Sequence, residues 1–170
     1  MKLPVVVLAM LASACTTVEP LETVDHVDLD RFMGEWYVIA SIPTFIETDA
    51  YNAIEAYRLD DDGTIDTVFT FLQGGFDGKS KHYNPRGFIR NSQTNAEWGM
   101  QFIWPFKSDY RIIHLDPEYR TTVIGRNKRD YVWIMAREPS IQPAEYDRLV
   151  SRVTAAGYDV SELRKVPQQW

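Results

Sequence analysis

The sequence predicts an all-β domain of eight short antiparallel strands followed by one α-helix. Two observations predict it. Short runs rich in Val, Ile, Tyr, Phe and Trp follow one another between residues 35 and 137, and turn residues such as Gly, Asn, Asp and Pro separate them. A helical period appears only beyond Pro143. Sequential strands without helical crossovers are typical of either a two-sheet sandwich or an up-and-down barrel, and the pattern alone does not choose between these folds.

The predicted strands are joined mostly by short connections. The third strand alternates clearly, with Ile65, Phe69 and Phe71 on one face. The Asp-Asp-Asp-Gly segment at 60–63, just before it, is a strong hairpin signal. In chain order the predicted strands span residues 35–42, 51–59, 64–72, 80–89, 97–103, 109–115, 120–125 and 131–137.

One amphipathic helix is predicted after the strands. Pro143 suits the first helical position, and Gly157 is a typical C-terminal stop. Between them, apolar side chains fall on one stripe at helical spacing: Tyr146, Leu149, Val150 and Val153. We expect the helix to lie across the outside of the sheet on that stripe.

The N-terminus is predicted to be an export signal. Residues 1–14 combine one positive charge, a short apolar stretch and small residues at the end, which is the pattern of a secretory signal peptide. The Leu-Ala-Ser-Ala-Cys segment at 11–15 resembles the lipobox of bacterial lipoproteins, which implies cleavage before Cys15 and acylation of that residue. The alternative is an ordinary signal that leaves a free thiol. Residues 15–27 are then a lipidated tether, and Thr16 after the cysteine implies sorting to the outer membrane.

Composition argues against several functions. The net charge is −6 and the Lys and Arg residues are scattered, so we expect no nucleic-acid partner. A single cysteine excludes an intrachain disulfide and leaves no thiol for catalysis if Cys15 is acylated. Three histidines lie far apart, without metal-ligand spacing, and no Gly-x-Ser-x-Gly segment occurs. We therefore expect a protein that is not an enzyme and that needs no metal or cofactor.

Three segments carry a family resemblance. Gly34-Glu35-Trp36 resembles the first signature of lipocalins, and Asp130 and Tyr131 lie in a segment that resembles the second. Arg137 stands where that family has an arginine at the end of its last strand. The chain looks closest to the bacterial outer-membrane lipoprotein lipocalins and their apolipoprotein D-like relatives. The resemblance implies an eight-stranded antiparallel up-and-down barrel over residues 28–170, with the C-terminal helix packed outside.

The resemblance also implies roles. Gly34, Trp36, Asp130, Tyr131 and Arg137 would be structural, with Arg137 stacked over a Trp36 ring that closes the narrow end of the barrel. Alternation along the strands from Trp36 and Arg137 then predicts the inward residues, although a bulge would reverse them and the inward faces of strands 80–89 and 109–115 stay open. The predicted ligand-binding residues are Val38, Ala40, Ala53, Glu55, Tyr57, Phe69, Phe71, Met100, Phe102, Trp133 and Met135.

Glu55 is unusual among these inward residues. It would serve a ligand headgroup, pair with a cation such as Arg111 or Arg90, or mark an error in the alternation, because a buried unpaired carboxylate is costly to keep charged. The loop at 43–46 would form an apolar lip at the open end.

The resemblance implies a membrane-anchored carrier or store of a fatty acid or lysophospholipid, with a role in envelope stress or lipid maintenance. Its place would be the outer membrane, facing the periplasm. Two alternatives remain: a structural lipoprotein whose barrel is filled with side chains, and a carrier of another ligand such as heme, for which His114 is the candidate iron ligand. Residues 104–106 would be a sticky edge for a homodimer or a contact with the membrane.

Overall fold

The strands form one closed barrel. A computed structural model describes residues 19–170; the predicted signal peptide at 1–14 and the predicted acylation site Cys15 lie outside them. The strands are β1 (Gly34–Ile42), β2 (Ala50–Leu59), β3 (Thr64–Gln73), β4 (Lys79–Tyr83), β5 (Arg86–Ile89), β6 (Glu97–Ile103), β7 (Phe106–Leu115), β8 (Thr121–Gly125), β9 (Val132–Ala136) and β10 (Arg164–Lys165). Each barrel strand pairs antiparallel with its neighbours, and β9 returns to β1, which closes the sheet. The predicted barrel is confirmed and the sandwich is excluded.

The predicted strand at 80–89 is divided into two. β4 pairs with the C-terminal half of β3, and β5 pairs with its N-terminal end. Together they therefore occupy one of the eight strand positions around the barrel. Pro85 lies in the interruption. Because proline has no backbone N–H, it cannot continue the ladder, and the strand breaks there.

An aromatic plug closes one end of the barrel. The short helix α1 (Leu29–Phe32) places Phe32 against the rings of Trp36, Tyr57 and Trp98, with centroid distances of 5.1, 5.6 and 5.5 Å. The indole Nε1 of Trp36 donates to the Phe32 carbonyl at 2.9 Å. These four rings, which we call the plug, are all buried.

Arg137 locks the plug from outside. Its guanidinium carbon lies 3.8 Å from the centre of the Trp36 ring. It also donates to four carbonyl oxygens, those of Arg31, Phe32, Met33 and Glu35. Gly34 sits beneath it with φ +94°, and a Cβ there would lie 3.3 Å from Arg137 Nη1. The backbone angle and the close approach both favour glycine.

The helix α2 (Pro143–Ala155) packs outside the barrel, as predicted. Leu149 and Val153 are fully buried against the outward side chains of β8 and β9, including Val123 and Ile134. Burying two such side chains stabilises the fold by roughly 3–6 kcal/mol. Gly157, at φ +88°, follows the end of the helix. Among the described residues, no helix is long and apolar enough to span a lipid bilayer.

Both ends of the described part of the chain are tied to the barrel wall. The C-terminal part of the predicted tether at 15–27 packs against the barrel. Leu21 and Val27 are buried, and the backbone N–H of Val24 donates to the Ile112 carbonyl at 3.0 Å. After the 3-10 turn Val160–Glu162, the two-residue β10 pairs with β1. Side-chain alternation did not predict β10, since both of its residues are charged and exposed.

Candidate ligand-binding cavity

A cavity of about 330 Å³ lies inside the barrel, toward the end opposite the plug. The loop between β1 and β2 and the hairpin between β6 and β7 form its mouth. Five of the predicted binding residues line it, and most of the lining surface is apolar. They are Glu55, Phe69, Met100, Phe102 and Trp133.

Other predicted binding residues are buried inside the barrel without lining the cavity. Val38, Ala53, Phe71 and Met135 belong to the inner hydrophobic cluster. Tyr57 belongs to the plug and does not line the cavity, but its hydrogen-bond partners Glu55 and Tyr110 do. The inner cluster also contains Phe69, Met100 and Tyr110, which line the cavity, so packed side chains surround the open volume.

The predicted inward orientation of Ala40 is wrong. The pairing of β1 with β9 shifts at Ile39, where Val38 faces Met135 but Ala40 faces Ile134. A bulge of this kind reverses the alternation beyond it. Ala40 therefore packs in the outer cluster, under α2, together with Ile134.

The floor of the cavity is a chain of hydrogen-bonded polar groups. The Tyr57 hydroxyl donates to Glu55 Oε2 at 2.5 Å and lies 2.6 Å from the Tyr110 hydroxyl. Because the Tyr57 proton goes to Glu55, the Tyr110 hydroxyl is the donor to Tyr57. The ring of Trp98 stacks on Tyr110 at 5.0 Å and holds it in place.

Burial dominates the acidity of these groups. Loss of hydration raises the pKa of Glu55 to about 7, and the charge of Glu47 adds to the increase, while the Tyr57 hydrogen bond opposes it. Burial also raises the pKa of both tyrosines well above 10. Of the three roles considered for Glu55, pairing with Arg111 or Arg90 is excluded, because those cations bind Asp109. An alternation error is excluded too, since Glu55 lines the cavity.

A second carboxylate, Glu47, lines the cavity from the mouth loop. It accepts hydrogen bonds from the Thr44 backbone N–H at 3.0 Å, the Thr44 hydroxyl at 2.9 Å and Trp133 Nε1 at 3.2 Å. Only 6% of Glu47 is exposed, and burial raises its pKa. Side-chain alternation did not predict Glu47 as a site residue, because alternation carries no information about loops. The nearest sequence signal was the position of Glu47 directly after the predicted apolar lip at 43–46.

Among the described residues that line the cavity, Arg126 is the one cation, and an apolar rim surrounds the mouth. Arg126 lies with its guanidinium carbon 5.0 Å from the Tyr131 ring centre and its Nη1 3.4 Å from Asp130. Tyr131 and Arg126 line the cavity, so the second signature segment also borders the site. Around them, large apolar side chains project into solvent, with Phe45 86% and Trp104 82% exposed. Tyr83 and Tyr110, on strands whose inward face the alternation left open, complete the wall.

His114 does not reach the cavity. The pairing of β7 with β8 shifts between Ile112 and His114. Burial and the charges of Arg152 and Arg148, both on the external helix α2, lower the pKa of His114 to about 4. Within residues 19–170, no three His, Cys, Asp or Glu side chains are grouped to hold a metal ion.

Comparison with known proteins settles the family. The family model described as a lipocalin-like domain matches residues 27–168. The chain belongs to the lipocalin family. This lipocalin is 31% identical to temperature-induced lipocalin-1 of Arabidopsis thaliana, over 90% of this chain and 86% of that protein. It is also 31% identical to the outer membrane lipoprotein Blc of Escherichia coli K12, over 94% and 92% of the two chains.

More distant comparisons agree with this family membership. Bovine apolipoprotein D is 25% identical over 82% of this lipocalin and 76% of its own length. Insecticyanin from the tobacco hornworm Manduca sexta superposes with a TM-score of 0.69 at 13% identity, covering 88% of this chain and 85% of that one. The resemblance to outer-membrane lipoprotein lipocalins and apolipoprotein D is confirmed.

Proposed function

We propose that this lipocalin carries or stores a fatty acid or lysophospholipid, with the alkyl chain in the barrel cavity. The observation that carries the proposal is an open, mostly apolar cavity above a fully packed plug. Its volume of about 330 Å³ is at the small end of the range for ligand pockets. The existence of this space argues against a barrel filled with side chains.

The expected affinity is moderate. Burying a twelve-carbon chain contributes on the order of 10 kcal/mol, at about 0.8 kcal/mol for each CH₂ group. Association costs at least about 4 kcal/mol in lost freedom of motion. The difference corresponds to a micromolar-range dissociation constant, which suits a carrier that must also release its ligand.

Binding without catalysis is part of the proposal. The polar groups around the cavity are carboxylates, hydroxyls and one guanidinium, and the cavity residues include no thiol or imidazole. The position of His114 beside α2 also weakens the alternative of heme ligation through that residue.

We also propose that the mouth faces the outer membrane, from the periplasmic side. The Glu19 carbonyl accepts a hydrogen bond from Arg129, in the loop between β8 and β9 that also carries Tyr131. Cys15 is four residues earlier, so an acyl anchor there lies within roughly 14 Å of this loop. The exposed rim residues Phe45 and Trp104 lie at the same end and suit contact with lipid.

A fluorescence titration tests the carrier. The protein lacking its first fifteen residues keeps every contact described above; it is titrated with a lysophospholipid and with a long-chain fatty acid, and Trp133 in the cavity wall reports binding. We expect saturable one-to-one binding that is abolished in Phe69→Asp. The matched control is Phe106→Asp, which alters an exposed side chain outside the cavity and should leave binding intact. Circular dichroism verifies that both variants fold. No saturable response to either lipid would refute the proposed carrier.

A further inference from the structure

We propose that the cavity floor binds the protonated amino group of an amphiphile, with Glu55 as its counter-ion, so that a cationic amphiphile binds more tightly than the carboxylic acid of equal chain length. This inference rests on the proposed function, because it assumes that the cavity accepts an alkyl chain. It adds a headgroup preference that an apolar cavity alone would not have.

The first observation is a buried carboxyl group, that of Glu55, without a cationic partner among the described residues. In the described part of the chain, Tyr57 is the one hydrogen-bond donor to Glu55, and it contacts only Oε2. No ion pair within residues 19–170 involves Glu55 or Glu47, although both line the same cavity. Two carboxylates in a mostly apolar space are costly to keep charged, and a bound cation offsets that cost.

The second observation is the direction of the floor hydrogen bonds. Tyr110 donates to Tyr57, and Tyr57 donates to Glu55, so both hydroxyl hydrogens are already used. What remains toward the cavity is acceptor capacity, on Glu55 Oε1 and on the Tyr110 oxygen. A primary ammonium brings three N–H donors to these acceptors. A carboxylate headgroup would find no free donor there and would be repelled by Glu55.

The other charged groups around the cavity do not cancel this preference. Asp109 is held by Arg111 at 3.3 Å and by Arg90 at 3.7 Å. Arg126 lies at the mouth, engaged with Asp130 and stacked on Tyr131. A fatty acid would therefore keep its carboxylate near Arg126 at the mouth, while an amine reaches the floor.

A matched ligand series tests the preference. Dodecylamine, dodecanol and dodecanoic acid share one chain length, and each is titrated at pH 8, below its micellar concentration, into the protein lacking its first fifteen residues. We expect the amine to bind at least tenfold more tightly than the alcohol, and the acid to bind most weakly. In Glu55→Gln the amine should lose at least tenfold in affinity, whereas the alcohol should change by less than about twofold.

Two controls separate the site from general electrostatics. Glu97→Gln removes the same charge from a residue outside the cavity and should keep the amine preference. Between pH 6 and pH 8 the amine stays protonated, so its affinity should rise as Glu55 ionises, since burial raises the pKa of Glu55 to about 7 and holds the pKa of Tyr57 and Tyr110 well above 10. The other charged groups that face the cavity are Glu47, whose pKa burial also raises, Asp109 and Arg126. Glu55→Gln should flatten most of this rise.

The outcomes are distinct. If the alcohol binds and the amine binds no more tightly, the headgroup inference is overturned while the carrier stands. If the amine preference persists in Glu55→Gln, the assignment to Glu55 is overturned. If none of the three ligands binds, the carrier itself fails, and the inference fails with it.

Discussion

Replacing Glu55 with glutamine should stabilise the ligand-free barrel at alkaline pH. Loss of hydration is the main cause that raises the pKa of Glu55 from 4.5 to about 7 in the folded protein. Because the folded state holds this proton more tightly than the unfolded chain does, the contribution of the group to stability is complete below pH 4.5. It is lost as the pH rises through 7.

The magnitude follows from the two pKa values. Their difference corresponds to about 3 kcal/mol, at about 1.4 kcal/mol for each pKa unit. This is an upper limit, because the cavity beside Glu55 opens to water. Glutamine is neutral at every pH, has the same shape, and its amide oxygen can accept the Tyr57 hydrogen bond. At pH 8 the free energy of unfolding of the variant should therefore exceed that of the natural protein by up to about 3 kcal/mol, and at pH 5 the difference should fall to about 1 kcal/mol or less.

Urea denaturation at pH 5, 6, 7 and 8 measures this difference, because other titrating groups cancel between the two proteins. Glu97→Gln is the control, since it removes a carboxylate that pairs with Arg111 outside the cavity. A difference that stays constant with pH, or a natural protein that is more stable than Glu55→Gln at pH 8, would show that the reasoning about burial is wrong.

Three further predictions concern the plug and the rim. Arg137→Met should lower the free energy of unfolding by about 3 kcal/mol, because it removes a cation–π contact and four hydrogen bonds to carbonyl oxygens. Urea titration measures this loss. The ligand affinity of the folded protein should not change. Gly34→Ala should cost about 1–3 kcal/mol in the same assay, since alanine is strained at φ +94°, and an unchanged midpoint would contradict this. Trp104→Ser should weaken sedimentation with phospholipid vesicles several-fold without changing ligand affinity. If Trp104→Ser instead leaves vesicle binding intact and abolishes a dimer in analytical ultracentrifugation, the rim is a protein interface.

The alternation of side chains predicted most of the barrel interior but not its irregular points. Phe69, Met100 and Trp133 line the cavity as their strands predict. Ala40 does not, because pairing between β1 and β9 skips Ile39, and a bulge depends on the partner strand rather than on local sequence. Glu47 enters the site through loop hydrogen bonds to Thr44 and Trp133, which no periodic pattern encodes.

The sequence by itself determined the position of most strands and of the external helix, because local propensity, turn residues and period are properties of neighbouring positions. The barrel topology and the roles of the signature residues around Trp36 came from the resemblance to a known family. Only the tertiary structure decided where the plug ends and the cavity begins, since that boundary depends on how side chains from different strands fill the same volume. It also decided the direction of the hydrogen bonds from Tyr110 through Tyr57 to Glu55, residues that lie on two strands and meet only when the barrel closes. The polarity of the floor is therefore a consequence of closure, and the proposed headgroup preference depends on it.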